Sequence, residues 1–495
     1  MGLAEPEAFP ANLADFSCAQ LLRSYQKNTA SPVEALAACY ERIDAIDKRL
    51  MAVITRSDEV AQAQAKASEK RWRDGAPLPL DGVPFGVKDL IYTAGVRTTG
   101  GSLVYENFVP DYNATVVDRL LDAGAVLAAK LQTWEFAADG VPFGFTRNPW
   151  NLEHMSGGSS SGSAAAIAAR ELPLAIGTDT GGSIRVPTSF CGITSMKPTF
   201  GRISRHGVMP ISWTLDHVGP MATSAEDIAL AMEAMAGYDE RDPSSLRAPV
   251  DQYTRHLGNG LKGVRLGVPR NWFFDLCDPQ IAESVQGAID VMRELGATVV
   301  DVRIPIFDQL NPVSLLWLIT NPECASLHEV NTDKLDLYNP DNANHVLSGR
   351  AVLAIDYMRA LRLRGLIQRD FEKVLSEVDA VVTPGTLCVA PRIEREDSIV
   401  DAWAVIGDKR YPWLEIAGRT TCVFNLAGMP ALTFPCGFNS EGLPMSVQVA
   451  ARPQGEVTAL RIGYAFQRAT DHHRHMPPMI NQAAPARTER SERGE

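Results

Sequence analysis

Residues 156–166 read SGGSSSGSAAA, a dense run of glycine and serine that passes directly into alanine. Within it, residues 158–162 match G-x-S-x-G, the nucleophile elbow of α/β-hydrolases, with Ser160 at the centre. An elbow serine follows a buried strand, but the preceding NPWNLEH contains proline, asparagine and charge and predicts a poor central strand. A flexible linker would continue as low-complexity sequence, whereas the alanines favour a helix. The run therefore fits neither an elbow nor a linker.

A second glycine-rich segment, GTDTGGSIRVP at residues 177–187, follows the strand-like residues 174–176. Consecutive glycines let backbone N–H groups converge on one point, because they tolerate positive φ and carry no side chain. Such a nest is a natural oxyanion hole for acyl transfer, and Ser183 at its end is a candidate nucleophile. The alternative is a tight turn without chemistry, and the segment alone leaves both interpretations open.

A serine nucleophile needs a group that removes its proton. None of the histidines stands in a context that singles it out as that group. Lys88 ends the apolar run VPFGV at residues 83–87, and burial would lower the pKa of its ammonium group enough for it to act as a base. The alternative is a lysine that reaches solvent from a strand end and pairs with the adjacent Asp89.

Composition narrows the class of protein. The chain has 495 residues, a net charge of −12 and an isoelectric point near 5.4, so it lacks the basic character of a nucleic-acid-binding protein. We expect a small molecule as its partner, no nucleic acid and no membrane, because no window reaches about 18 consecutive apolar residues. The eight cysteines are scattered and the start lacks a signal-peptide pattern, which predicts reduced thiols and a cytoplasmic location. No histidine or cysteine spacing indicates a metal site.

Apolar periodicity alternates between helix and strand along the chain. A capping box, SPVE at residues 31–34, begins a helix whose apolar face continues to Ile46. Strand-like runs alternating with helical segments predict an α/β fold with a largely parallel or mixed sheet. We expect a single domain over residues 1–480, with a catalytic core at about 80–225 and an irregular substrate-side region at about 300–350. Residues 481–495 are charged and predict a disordered tail.

Three segments in this order resemble the amidase signature family: GVKD at 86–89, GGSSSGS at 157–163 and GTDTGGSIRVP at 177–187. Ser159 and Ser183 are 183 − 159 = 24 residues apart, which is the family's spacing. The similarity extends from residue 15 to residue 480. Further matches to the family are NPWN at 148–151, CG at 191–192, KPTFGR at 197–202, VDAVVTP at 378–384 and NLAGMPALTFPCGF at 425–438.

The resemblance implies an amidase signature fold, a large mixed β-sheet of about eleven strands covered by α-helices on both faces. It also implies a Ser-Ser-Lys triad, in which Ser183 is the acyl nucleophile, Ser159 relays protons and Lys88 is the final base. In this family the relay serine follows a cis peptide bond, which here would be Gly158–Ser159. Neither a metal nor an organic cofactor is implied.

The groups around the triad are implied by the same resemblance. The tetrahedral oxyanion would be held by the backbone N–H groups of Thr180, Gly181, Gly182 and Ser183. Asp179 and Arg185 flank this loop, and we expect them to form a supporting ion pair. Substrate would be bound by Trp134, Phe136, Ala137, Gly158 and Ser159, although the aromatic residues of this segment could equally belong to the core.

Three positions depart from the family's common pattern. Ser156 replaces a proline and Ser161 replaces a frequent glycine, but neither change removes a catalytic group. The branch that hydrolyses glutamine to amidate misacylated tRNA carries an acidic residue seven positions before the Asn of NLAG, and here that position is Gly418. We therefore expect a stand-alone hydrolase of small aliphatic or aryl amides, anilides, carbamates or esters, with a homodimer as its candidate assembly. The alternative is a glutamine-hydrolysing subunit of a tRNA-dependent amidotransferase complex.

Overall fold

The computed structural model describes residues 10–482 of the chain. In this part the β-strands are β1 Val53–Arg56, β2 Pro84–Lys88, β3 Val126–Leu131, β4 Arg147–Asn148, β5 Asn151–Met155, β6 Leu174–Asp179, β7 Thr194–Lys197, β8 His217–Ala222, β9 Arg265–Pro269, β10 Thr298–Val302, β11 Ala380–Pro384, β12 Trp403–Ile406, β13 Lys409–Pro412, β14 Ala431–Phe438 and β15 Pro444–Ala451. The α-helices are α1 Cys18–Gln26, α2 Pro32–Leu50, α3 Asp58–Arg73, α4 Thr115–Asp122, α5 Ser161–Ala168, α6 Arg185–Cys191, α7 Ala225–Met235, α8 Pro279–Glu294, α9 Pro312–Leu327, α10 Pro340–Gly349, α11 Ala354–Leu375, α12 Trp413–Gly418, α13 Cys422–Ala427, α14 Glu456–Ala469 and α15 Pro478–Gln482.

One mixed sheet organises the molecule. It contains eleven strands in the order β1-β3-β2-β6-β8-β7-β14-β15-β11-β9-β10. β2 runs parallel to both β3 and β6, whereas β6, β8, β7, β14, β15 and β11 pair antiparallel in succession. The other four strands form the hairpins β4–β5 and β12–β13 outside this sheet. The predicted α/β class and the mixed sheet of eleven strands are confirmed.

Helices cover both faces of the sheet. Successive side chains of a strand point to opposite faces, and in β6 Leu174 and Ile176 join one apolar core while Ala175 joins another. The first core also contains residues of α4, α7, α8 and α14, and the second contains residues of α2 and α5. Each face of the central strands is therefore buried, which explains why these strands have continuous apolar sequences.

Several helices and strands begin where the sequence predicts them. The capping box of Ser31 and Glu34 is present, with Pro32 as the first residue of α2. The predicted strand ending at Lys88 is β2, and the alanine-rich helix is α5. The segment before α5 forms β5, but β5 pairs with β4 in a hairpin rather than lying in the main sheet. An elbow serine follows a strand of the main sheet, so Ser160 does not lie at a nucleophile elbow.

Small residues allow α5 to pack deep against the sheet. All eight of its residues are buried. A Cβ atom on Gly162 would clash with two backbone atoms, the carbonyl oxygen of Ala52 and the amide nitrogen of Gln132. Glycine at 162 is thus required by close contact between α5 and the backbone beside β1 and β3.

Residues 305–350 are mostly helical, so the predicted irregular region is wrong in secondary structure. Asn311 accepts hydrogen bonds from the first amides of α9, and Pro312 occupies the first turn. The buried residues of α9 follow helical spacing, but Thr320 and Glu323 among them are polar and the apolar Leu318 is exposed. Polarity in the sequence therefore does not mark the buried face of this helix. Helix α10 and two 3-10 helices, Pro305–Asp308 and His328–Leu337, complete this lobe.

Some expectations concern other parts of the chain. The predicted disordered tail at 481–495 lies outside the described residues apart from 481 and 482 at the end of α15. All eight cysteines are free thiols in the structure. Across residues 10–482 no helix combines the length and the apolar character needed to cross a membrane. Within that same range no cluster of His, Cys, Asp and Glu could hold a metal ion.

Candidate active site

Lys88 lies at the carboxyl end of β2 with no solvent exposure. β2 and β6 are parallel neighbours, so their carboxyl ends meet at one edge of the sheet and bring Lys88 next to Thr178. The Lys88 ammonium nitrogen donates hydrogen bonds to the Oγ of Ser159 at 2.8 Å and the Oγ1 of Thr178 at 2.9 Å. Burial lowers the pKa of Lys88 to about 7, although the charges of Asp179 and Asp216 oppose the shift.

Ser159 is fully buried and follows a cis peptide bond, Gly158–Ser159, as the resemblance implies. Its carbonyl oxygen accepts a hydrogen bond from the backbone N–H of Trp134 at 3.2 Å. The indole ring of Trp134 packs so closely on Gly158 that a Cβ atom there would clash with it. Glycine at 158 is therefore needed to seat Ser159 between Lys88 and the pocket.

Ser183 lies in the loop between β6 and α6 and is partly exposed, unlike Lys88 and Ser159. The backbone N–H of Ser160 donates to the Ser183 carbonyl oxygen at 3.1 Å, which holds the two serine segments side by side. In this loop Gly182 has φ +145°, and a Cβ atom at this position would clash with the hydroxyl of Thr421. Only glycine satisfies both conditions, so the loop is shaped before substrate arrives.

The Asp179–Arg185 ion pair joins the two ends of the loop that carries Ser183. Both side chains have no solvent exposure, and two guanidinium nitrogens of Arg185 donate to the carboxylate at 3.0 and 2.9 Å. Arg185 also donates to the side-chain oxygens of Asn425 at 2.6 Å and Gln448 at 2.9 Å. Burial alone would raise the pKa of Asp179, but the charge and hydrogen bonds of Arg185 hold it well below its usual range.

Thr180, the first predicted oxyanion residue, is fixed by its side chain. Its hydroxyl donates to the Oδ1 of Asp216 at 2.6 Å, and Asp216 also accepts from the backbone amides of Ile211 and Ser212. Burial raises the pKa of Asp216, against the opposing effect of Arg205 and these hydrogen bonds. The sequence patterns indicated neither Thr178 nor Asp216. Thr178 lies within the quoted GTDTGG motif, whereas the sequence around Asp216 contains no motif that indicates a role in the site.

A pocket of about 710 Å³, counted with its open mouth, leads to Ser183. Gly158 and the loop 180–183 form its floor. Its walls are mainly apolar and come from Trp134, Val186, Leu316, Trp317 and Trp413. The structure thus brings the predicted nucleophile Ser183, the predicted oxyanion residues and Gly158, which precedes the relay serine, to one cavity. This arrangement favours acyl transfer.

Of the five residues predicted to bind substrate, Gly158 lies in the floor and two lie in this wall, whereas Phe136 and Ser159 do not line the pocket. Trp134 and Ala137 line the pocket. Phe136 points away into the core, where its ring contacts His328 at 4.6 Å and Tyr338 at 5.3 Å between centroids. Phe136 and Ala137 both have positive φ values, 52° and 63°, so the chain turns sharply and separates the two side chains. The predicted pocket role of Phe136 is wrong for this reason.

The family of the chain follows from comparison with known proteins. A family model described as Amidase matches residues 34–460. The chain belongs to the amidase family. Its enzyme class is thereby shown to be one that acts on amide C–N bonds, as the sequence motifs predict. The individual roles of Lys88, Ser159 and Ser183 stay predictions that the contacts above support.

Named relatives of this amidase are full-length matches. In Chloroflexus aggregans the A subunit of glutamyl-tRNA(Gln) amidotransferase is 39% identical over 90% of this chain and 95% of its own. A solved chain from a vestigial protein complex, described as revealing the evolutionary origins of an s-triazine catabolic enzyme, is 33% identical, covers 92% of this chain and 98% of its own, and has a TM-score of 0.85. A bacterial aryl acylamidase of the amidase signature family is 25% identical over 95% of this chain and 99% of its own, with a TM-score of 0.84.

These relatives correct two expectations. Relatives from several organisms, 37–39% identical over at least 90% of this amidase, are named as part of a tRNA-dependent enzyme. The predicted stand-alone hydrolysis of small amides, and the predicted absence of nucleic acid among the partners, are therefore wrong. The prediction relied on the single position Gly418 and on net charge. One position does not decide the charge of a whole pocket, and net charge does not report how charge is distributed over a surface.

Proposed function

We propose that this chain is the glutamine-hydrolysing subunit of a tRNA-dependent amidotransferase, and that it releases ammonia from the side-chain amide of glutamine. The observation that carries the proposal is its similarity to the A subunits of glutamyl-tRNA(Gln) amidotransferases over nearly the whole length of both chains. The contacts of Lys88 with Ser159, and of the Ser159 segment with Ser183, support it because the same groups would catalyse cleavage of the amide.

The reaction begins with proton transfer away from the nucleophile. Neutral Lys88 takes a proton from Ser159, Ser159 takes one from Ser183, and the Ser183 Oγ attacks the amide carbonyl carbon. The tetrahedral oxyanion is stabilised by the N–H groups of residues 180–183. Lys88 returns its proton through Ser159 to the nitrogen, the C–N bond breaks and ammonia leaves. Water then attacks the acyl-enzyme by the same relay, releasing glutamate and restoring Ser183.

Protonation of the leaving nitrogen is the step that requires the buried lysine. An amide anion is too basic to leave unaided, so a proton must arrive as the bond breaks. A lysine with a pKa near 7 can hold that proton after the attack and release it at once. Ser159 is buried against the pocket floor beside Lys88, so the transfer proceeds without bulk water.

Ammonia release from glutamine tests the proposal directly. The purified chain is incubated with glutamine, alone and together with the remaining subunits of the Chloroflexus aggregans amidotransferase, and ammonia and amidated tRNA are measured. We expect hydrolysis of glutamine, and conversion of Glu-tRNA(Gln) to Gln-tRNA(Gln) when the other subunits are present. Failure to release ammonia under both conditions, in protein whose Ser183 still reacts with a fluorophosphonate, would contradict the proposal.

A further inference from the structure

The pocket above Ser183 is mainly apolar, and one ion pair lies in its wall. Its charged side chains are Asp139 and His345, and the groups around them include Trp317, Leu316 and Val313. An unsatisfied polar atom in such surroundings dominates the choice of ligand, because an apolar wall discriminates weakly between polar groups. Gly418 lines the same pocket and brings no charge.

Asp139 is held in place before any ligand binds. The Nδ1 atom of His345 lies 3.1 Å from one of its oxygens, Oδ2. His345 belongs to α10, and the same helix fastens the start of the Asp139 loop. There Glu135 accepts hydrogen bonds from the backbone N–H of Asn339 at 3.0 Å and the side-chain amide of Asn342 at 2.9 Å. Two attachments to one helix fix the direction in which the carboxylate points.

The second oxygen of Asp139 is left for a ligand. Among the described residues Oδ1 has no hydrogen-bond partner, while Oδ2 is occupied by His345. The Asp139 side chain is 14% exposed and lines the pocket. A ligand that filled the pocket without a donor would strip water from Oδ1 and leave it unsatisfied, which is costly for a carboxylate. A ligand with an N–H or ammonium donor at this point avoids that cost.

We propose that Asp139 binds an ammonium group on the acyl part of the substrate, so that the pocket selects amides that carry one. For glutamine, whose identity as substrate rests on the proposed function, this is the α-ammonium. His345 acts on the substrate through Asp139, and is therefore a positioning residue. Selection of an ammonium group by Asp139 is a separate claim from hydrolysis of glutamine, and the two can be tested apart.

Two amides of equal length test the selection in the wild-type protein. 4-Aminobutanamide carries an ammonium group where pentanamide carries a methyl group, and neither has a carboxylate. We expect kcat/KM for 4-aminobutanamide to exceed that for pentanamide by about 10- to 100-fold, the effect of one hydrogen bond to a charged group. Each amide should also slow the labelling of Ser183 by a fluorophosphonate, because it competes for the pocket. The concentration of amide that halves the labelling rate compares the binding of the two amides without turnover. Equal values for the two amides would overturn the proposal, whatever the behaviour of any variant.

The Asp139→Asn variant assigns the selection to one residue. We expect the ratio between the two amides to fall by about 10- to 100-fold, and Asp139→Glu to retain part of it. Asp336→Asn is the matched control, because Asp336 is exposed on the same lobe. An Asp139→Asn ratio equal to that of the wild type would overturn the assignment.

Ammonium selection without glutamine hydrolysis would support this inference and contradict the proposed function. 4-Carbamoylbutanoate is glutamine without the amino group. Equal cleavage of the two compounds would support the proposed function and contradict this inference.

Discussion

Lys88 shows how position within the fold sets the chemistry of a single residue. It has no exposed surface, and its two hydrogen-bond acceptors are neutral hydroxyls rather than carboxylates. Burial therefore lowers the pKa of Lys88 to about 7, despite the more distant charges of Asp179 and Asp216. At neutral pH a large fraction of Lys88 is uncharged, as a base in the proposed reaction must be.

The pH dependence of the reaction follows from that pKa. The protonated ammonium form cannot accept the proton of Ser159, so activity is lost as pH falls through about 7 and reaches a plateau above it. We expect kcat/KM for amide hydrolysis to rise about tenfold per pH unit below this value. Lys88→Arg keeps a cation that does not deprotonate in this range, and should be inactive at every pH from 6 to 9. A wild-type profile that is flat between pH 5 and 8 would remove Lys88 from the mechanism.

Ser183 is tested by covalent labelling. The Ser183→Ala variant should lose all acyl-enzyme formation and all labelling by a fluorophosphonate, measured by intact-protein mass spectrometry. Ser160→Ala is the matched control, because Ser160 is a neighbouring buried serine whose hydroxyl donates to the Thr178 carbonyl oxygen instead. Ser160→Ala should still be labelled. A covalent adduct on the Ser183→Ala protein would contradict the assignment of the nucleophile.

Among the elements, α5 places a strict demand on residue size. A methyl group on Gly162 would meet the backbone of Ala52 and Gln132, which cannot move without disturbing β3. We expect Gly162→Ala to lower the free energy of unfolding by about 1–3 kcal/mol. Gly287 lies in the middle of α8 with nothing near its Cβ position, so Gly287→Ala should instead stabilise by about 0.5–1 kcal/mol. Urea denaturation measures both, and equal stability of the two variants would contradict the packing described here.

Elements whose signals are local could be predicted from the sequence. The capping box at Ser31, the apolar strand ending at Lys88 and the glycines around Ser183 each express a constraint within a few residues. Asp139 and His345 could not be paired, because 206 residues separate them and α10 joins them only in the folded chain. The position of Phe136 could not be predicted for a related reason. The turn that directs its side chain away from the pocket needs positive φ values at Phe136 and Ala137, and neither residue is a glycine.

At the scale of the whole molecule, Glu135 joins the helical lobe to the catalytic sheet. It is fully buried and accepts hydrogen bonds from Ser102, Asn339 and Asn342. Burial raises the pKa of Glu135 to about 7, and the hydrogen bonds only partly offset this. The folded state therefore holds a proton on Glu135 that the unfolded chain releases near pH 4.5. The stability that this proton confers is greatest below pH 4.5 and is lost as pH rises through about 7.

Replacement of Glu135 by glutamine should remove this dependence. Between pH 5 and 8 the free energy of unfolding of the wild type should fall more steeply than that of Glu135→Gln, by on the order of 2 kcal/mol. Urea denaturation at both pH values measures the difference. The exposed Glu377 supplies the control, and Glu377→Gln should follow the wild type. If Glu135→Gln shows the same pH dependence as the wild type, Glu135 does not carry a proton in the folded state at pH 5.

The order of strands in the sheet also has a consequence for synthesis on the ribosome. β7 ends at Lys197, but the strand that covers its open edge, β14, begins at Ala431, a gap of 431 − 197 = 234 residues. At about 5–20 residues per second, a nascent chain carries that unpaired edge for roughly 10–50 s. Asn425 and Gln448, which hold Arg185, arrive equally late. The enzyme therefore acquires its activity only after translation is nearly complete, and a chaperone that shields β7 until then should raise the yield of folded protein.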